Sequence, residues 1–95
     1  MSSKEAYEKK YRAQLDEWQA ELKKLEAKAR QSSADAQIEY EKRLEELKSK
    51  QKEAEKKLRE LKNAGEDSWR DFKKDADAAW EDIEVAFKSA IARFR

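Results

Sequence analysis

The stretch LEAKARQSSADAQI, residues 25–38, separates two possible folds. Between Leu25 and Ile38 the only apolar side chains are Ala27, Ala29, Ala34 and Ala36, and Ser32, Ser33 and Asp35 sit among them. Ser33 is placed to cap a new helix, because its hydroxyl can accept a hydrogen bond from a backbone N–H of the first turn. A turn at residues 32–35 would divide the chain into helices near 4–31, 36–63 and 67–94, a three-helix bundle roughly 42 Å long. Against the turn, no glycine or proline occurs there, and alanine-rich sequence resists breaking. Leu22 and Leu44 are also two eleven-residue units apart, so one continuous helix keeps its phase across the gap. Phase and propensity together favour a single helix from about residue 4 to 63, some 90 Å long.

Outward from this stretch the helical pattern is regular on both sides. Upstream, Tyr7, Tyr11, Leu15, Trp18, Leu22 and Leu25 fall on one helical stripe. Downstream, Tyr40, Leu44, Leu47, Gln51, Ala54, Leu58 and Leu61 alternate steps of four and three, as a coiled-coil seam does. Acid-first pairs four apart, among them Glu26 with Arg30, Glu46 with Lys50 and Glu53 with Lys57, add about 0.2–0.5 kcal/mol each to helix stability. Asn63-Ala64-Gly65 then ends the helix. Gly65 is the expected hinge, since glycine accepts the left-handed conformation common at helix C-termini. Asp67 or Ser68 is expected to cap the next helix, with Ser68 and Asp71 spaced like a capping box.

Beyond the hinge the chain becomes aromatic. Trp69, Phe72, Ala76, Trp80, Ile83, Phe87, Ile91 and Phe94 repeat every eleven residues, a hendecad that keeps the stripe nearly straight. Its large side chains form a surface for another helix, in the same chain or a second one. The alternative is a lipid surface, with the aromatic side in the headgroup boundary. A strongly basic polar face would favour that reading, and the polar side here mixes Asp71, Asp75 and Glu81 with Lys73 and Lys88.

Composition narrows the chemistry. Of 95 residues, 47% are charged, and Ala, Glu, Lys, Leu and Arg dominate as they do in coiled coils and long helices. There is no cysteine and no histidine, so thiol chemistry is absent and the commonest general base and transition-metal ligand are missing. One glycine cannot make a phosphate-cradling loop. Neither an enzyme nor any cofactor, metal or small-molecule substrate is expected. Net charge of +1, with acids flanking every lysine run, disfavours nucleic acid. The first residues lack the apolar run of a secretory signal, so a cytoplasmic protein is expected, possible membrane contact being peripheral.

Several of these residues carry a resemblance over nearly the whole chain. They are Tyr7, Leu15-Asp16-Glu17-Trp18, Glu21-Leu22, Leu25-Glu26-Ala27-Lys28-Ala29, Ala34-Asp35-Ala36 and Ile38-Glu39-Tyr40. They continue with Leu44-Glu45-Glu46-Leu47, Leu58-Arg59-Glu60-Leu61, Ala64-Gly65-Glu66-Asp67-Ser68-Trp69, Trp80 and Ala92-Arg93-Phe94. In these the chain resembles a family of small bacterial coiled-coil proteins, from cyanobacteria and proteobacteria, grouped as stress-response proteins. The resemblance implies a cytoplasmic, non-enzymatic helical protein linked to stress, and it brings no active site. The eleven-residue repeat is also similar to those of exchangeable apolipoproteins and desiccation-associated proteins.

The expected architecture is therefore all-α: a long amphipathic helix, a turn at 63–67 and an aromatic helix folding back along it as a coiled-coil hairpin. A lone hairpin of this composition buries too little to be very stable. Self-association follows as an expectation, most simply as an antiparallel dimer.

Overall fold

The computed structural model describes residues 3–93. It contains three helices, α1 (Ser3–Arg30), α2 (Ala34–Asn63) and α3 (Trp69–Arg93), and no strand among the described residues. They form an antiparallel up-down-up bundle measuring 52 × 20 × 18 Å. The 90 Å helix is thus corrected in favour of the bundle with a break near residue 32.

The reason is tertiary. As one continuous helix, the first 63 residues would leave both apolar stripes facing the same side with only α3 to cover them. Folding at 31–33 lets α1 and α2 cover each other, and such burial outweighs local helix propensity. The break is short and internally bonded. Gln31 N donates to Ala27 O at 3.3 Å and Lys28 O at 3.2 Å, and Ser32 N donates to Ala29 O at 3.1 Å. Ser32 Oγ reaches back to Lys28 O at 2.9 Å. Ser33, extended at φ −60° and ψ 159°, caps α2 by accepting from Ala36 N at 3.4 Å.

The second turn ends α2 at the expected place by different means. Gly65 does not have a positive φ. Ala64, at φ −71° and ψ 145°, forms the cap, its N–H donating to Glu60 O and Leu61 O. Ser68 makes no capping box. Its hydroxyl donates back to Gly65 O at 3.4 Å, and Asp71 N donates to Ser68 O at 3.2 Å. A Cβ at residue 65 would meet only Ser68 Oγ, at an ordinary 3.8 Å. Gly65→Ala is therefore expected to stabilise the chain by about 0.4–1 kcal/mol, by restricting the unfolded state. Urea denaturation checks this, and a lowered midpoint would show that the turn needs glycine.

The core runs the length of the bundle. Tyr11, Leu15, Trp18, Leu22, Leu25 and Ala29 come from α1, and Leu44, Leu47, Gln51, Ala54, Leu58 and Leu61 from α2. From α3 come Trp69, Ala76, Trp80, Ile83, Phe87 and Ala90. The α3 stripe departs from the hendecad. Its buried positions from Ala76 to Ala90 step by four and three, so the seam is a heptad, and Ala90 takes the place expected of Ile91. Phe72 and Ile91, at the margins of the slower-drifting hendecad stripe, leave the seam, Phe72 being 40% exposed.

Two ion pairs mark the register of α2 against α3. Lys50 Nζ meets Asp82 Oδ2 at 2.7 Å, and Lys57 Nζ meets Asp75 Oδ2. Each partner is one heptad from the next, in opposite directions, as antiparallel helices require. Both lysines were expected to pair within α2, with Glu46 and Glu53; they reach across to α3 instead, Lys57 also keeping a longer contact of 3.9 Å with Glu60 of its own helix. Hydrogen bonding to Asp82 raises the Lys50 pKa above the usual lysine value, and Asp75 does the same to Lys57. Such exposed pairs contribute orientation more than stability. On the other side, Glu26 holds Lys48 of α2 at 3.3 Å and Arg30 of its own helix at 4.0 Å. Lys4 Nζ donates to Lys62 O at 2.9 Å, placing a cation at the carbonyl end of α2 where the helix dipole favours it.

Candidate functional site

The feature that sets this bundle apart is the seam between α1 and α3. These helices are parallel, and their backbones approach far less closely than either approaches α2. Rings fill the space. Tyr7 lies 5.7 Å from Trp69, Tyr11 lies 4.3 Å from Trp80, and Trp18 lies 5.6 Å from Trp80, centroid to centroid. Trp18 also stacks on Phe87 at 5.4 Å with only 10° between the planes. Tyr7 and Tyr11 meet each other at 5.8 Å, so the ladder is continuous from Trp69 to Phe87. Next to the Trp69 end, Lys73 Nζ lies 4.4 Å from the Tyr7 ring centre, a cation–π contact.

On α3 the bulky and small residues divide by face. Trp69, Trp80 and Phe87 project toward α1, as their ring contacts show. Helical spacing puts Ala79, Ala86 and Ala90 about a quarter-turn around, toward the side from which Asp75 and Asp82 reach α2. Alanines let backbones approach, and rings hold them apart. The sequence divides α3 into an aromatic edge and an alanine edge, and the unequal spacing of the helices follows.

The seam contains two buried polar atoms, Tyr11 Oη and Trp80 Nε1, that find no hydrogen-bond partner among the described residues. Such an atom costs about 1–3 kcal/mol of desolvation. Tyr11→Phe removes one of them without changing the ring and is expected to stabilise by about 1 kcal/mol, raising Tm by about 4–8 °C. A lowered Tm would show that the hydroxyl is bonded after all.

Beside the ladder, the separation of α1 and α3 leaves a groove of about 490 Å³, with Trp18, Phe87 and Ile91 at its base and Glu17, Glu21, Glu84 and Lys88 on its rims. A second, of about 230 Å³, lies between α1 and α2 and is lined by Arg12, Asp16, Gln51, Glu55 and Arg59 among others. Both are open surface grooves. No Asp or Glu among the described residues is buried, and these residues contain no group of three or more Asp or Glu side chains poised to hold a metal ion. Among them, too, no helix is long and apolar enough to cross a membrane.

Of the stripe expected to face a partner or lipid, Trp69, Trp80, Ile83 and Phe87 are interior, Ile91 is half-buried, Phe72 is exposed, and Phe94 lies outside the described residues. Of the packing stripe, Tyr11, Leu15, Trp18, Leu22, Leu25, Leu44, Leu47, Leu58 and Leu61 are buried together, with Tyr7 and Tyr40 packed against them. The two stripes, expected to meet within one chain or between two, meet within one. Sequence reading missed Ala90 and the cross-helix pairing of Lys50 and Lys57. The heptad spacing of Asp75 and Asp82, matching that of the two lysines, was the available signal for the latter. No family model, curated protein or solved structure matches the chain.

Proposed function

We propose that this chain is a non-enzymatic helical interaction module that works through helix packing, with the stress-response role and cytoplasmic setting its family resemblance implies. The observation that carries the reading is the disposition of side chains. The large apolar stripes go into helix–helix contact, and no Asp or Glu among the described residues is buried with them. Proteins of this kind offer shape and charge to partners rather than a reacting centre.

A lipid-surface reading rests on one specific observation: α3 has the strongest amphipathic contrast of the three helices. Its aromatic edge is covered by α1, so lipid would have to displace α1 to reach it. Co-sedimentation with neutral and anionic phospholipid vesicles separates the two. Packing predicts that the chain stays in the supernatant with its tryptophan emission unchanged. Vesicle binding that is lost in Phe72→Asp or Val85→Asp, both at exposed α3 positions, would overturn packing in favour of lipid.

A further inference from the structure

We infer that this chain takes a second copy of itself by exchange at residues 31–33: α1 and α2 straighten into one helix, and each α1 docks on the partner's α2 and α3. The inference rests on the helix-packing reading and specifies the partner.

The turn itself supports it. No residue among those described, the turn included, has a positive φ, and glycine and proline are absent from the turn. At Ser33 the departure from helix lies in ψ, which is 159° while φ is already −60°. Closing the turn into helix costs the Ser33 cap and a few local bonds, and it gains the regular hydrogen bonds of an uninterrupted helix. Short turns of this kind are where exchange between copies begins.

The core pattern supports it independently. The α1 stripe ends at Leu22, Leu25 and Ala29, and the α2 stripe begins at Leu44, Leu47 and Gln51. Across a straightened helix, Ser33, Ala36 and Tyr40 bridge Ala29 to Leu44 in steps of four, three, four and four, so the stripe continues on one face. Two such helices, antiparallel and roughly 90 Å long, place each α1 against the other chain's α2. Every interface of the single bundle is rebuilt, twice and end to end. The turn at 64–68 is unchanged, so α3 stays on its own α2. An ordinary side-by-side dimer has no use for phase continuity across residues 30–40; an exchanged dimer requires it.

Two salt bridges make the exchange readable. In the exchanged dimer Glu26–Lys48 joins two chains, whereas Lys50–Asp82 remains within one. Equal amounts of unlabelled and nitrogen-15-labelled chain are mixed, unfolded, refolded together at high concentration and treated with a zero-length carbodiimide. The dimer fraction is then analysed by mass spectrometry. The expected result is mixed-isotope crosslinks at Glu26–Lys48 and single-isotope crosslinks at Lys50–Asp82, in a particle nearly twice the 52 Å length of the bundle.

Ala34→Pro supplies the control. Residue 34 is the first of α2, where proline is well accommodated, and Ser33 already has the extended conformation that a following proline demands. The same proline would lie inside the straightened helix. It is expected to leave the monomer folded and to weaken dimerisation by about a hundredfold per chain. Ser32→Ala with Ser33→Ala, which removes the cap and favours helix, is expected to strengthen it roughly tenfold. A dimer whose Glu26–Lys48 crosslinks are all within one isotope, and which tolerates Ala34→Pro, would overturn exchange while leaving helix packing intact. A chain that stays monomeric at millimolar concentration, even with both serines replaced, would overturn exchange itself. The vesicle experiment decides the packing reading separately.

Discussion

Trp18→Ala is expected to abolish stable folding at room temperature or to bring the chain close to it. Trp18 is 4% exposed and is the rung on which Trp80 and Phe87 both rest. Truncating a buried tryptophan costs about 3–5 kcal/mol, and a domain of this size has only about 5–14 kcal/mol in total. The loss should fall near the upper end. The neighbours that would have to collapse into the gap are rigid rings on a helix already held to α2 by its alanine edge and its ion pairs. Thermal unfolding followed by far-ultraviolet circular dichroism should show Tm lowered by about 15–30 °C. Trp18→Phe, which keeps a ring in the stack, should lose less than half as much. A fall of only a few degrees in Trp18→Ala would mean that the ladder does not hold the seam.

Ala54→Asp should be at least as damaging, for a different reason. Ala54 is 0% exposed, about two-thirds of the way along α2, the helix that packs closely on both others. A carboxylate there must shed its water and finds no cation within the core, so its ionised form costs several kcal/mol. The sign of the pH dependence follows. Burial raises the folded-state pKa of the introduced Asp above its unfolded value, so the folded state binds the extra proton more readily. The penalty is then greatest above the raised pKa and shrinks as pH falls through it. Far-ultraviolet dichroism should show an unfolded chain at neutral pH and partial recovery of helix as pH falls toward about 4, the unfolded-state pKa of Asp. Unchanged chains carried through the same pH series separate this from the general effect of acid. Equal stability of variant and parent at neutral pH would place residue 54 at the surface and refute the packing described here.

The helical stripes were legible in the sequence because their spacing is local. Tyr11 to Leu25 and Leu44 to Leu61 are buried in the pattern their intervals dictate. The break at 31–33 was legible only as an alternative. Everything local about Ala27, Ala29, Ala34 and Ala36 favours helix, and the cost of leaving Leu22 and Leu44 uncovered is set by distant residues. Ile91 and Ala90 show the same limit on a smaller scale. An eleven-residue repeat and a seven-residue seam differ little over 25 residues, and which one α3 follows depends on the helices it meets. Gly65 was assigned a left-handed cap from its residue type alone, and the backbone of Ala64 had already satisfied the carbonyls. Lys50 and Lys57 chose between acids four residues away and acids on another helix, a competition that only the assembled register resolves.

The unbroken row of rings between α1 and α3 makes the molecule its own optical gauge. Trp18, Trp69 and Trp80 all belong to that row, so their fixed mutual orientation should give the intact protein a pronounced near-ultraviolet dichroism. Loosening of α3 would erase that band while the far-ultraviolet helix signal persisted. Departure of this one helix can therefore be followed without attaching any label.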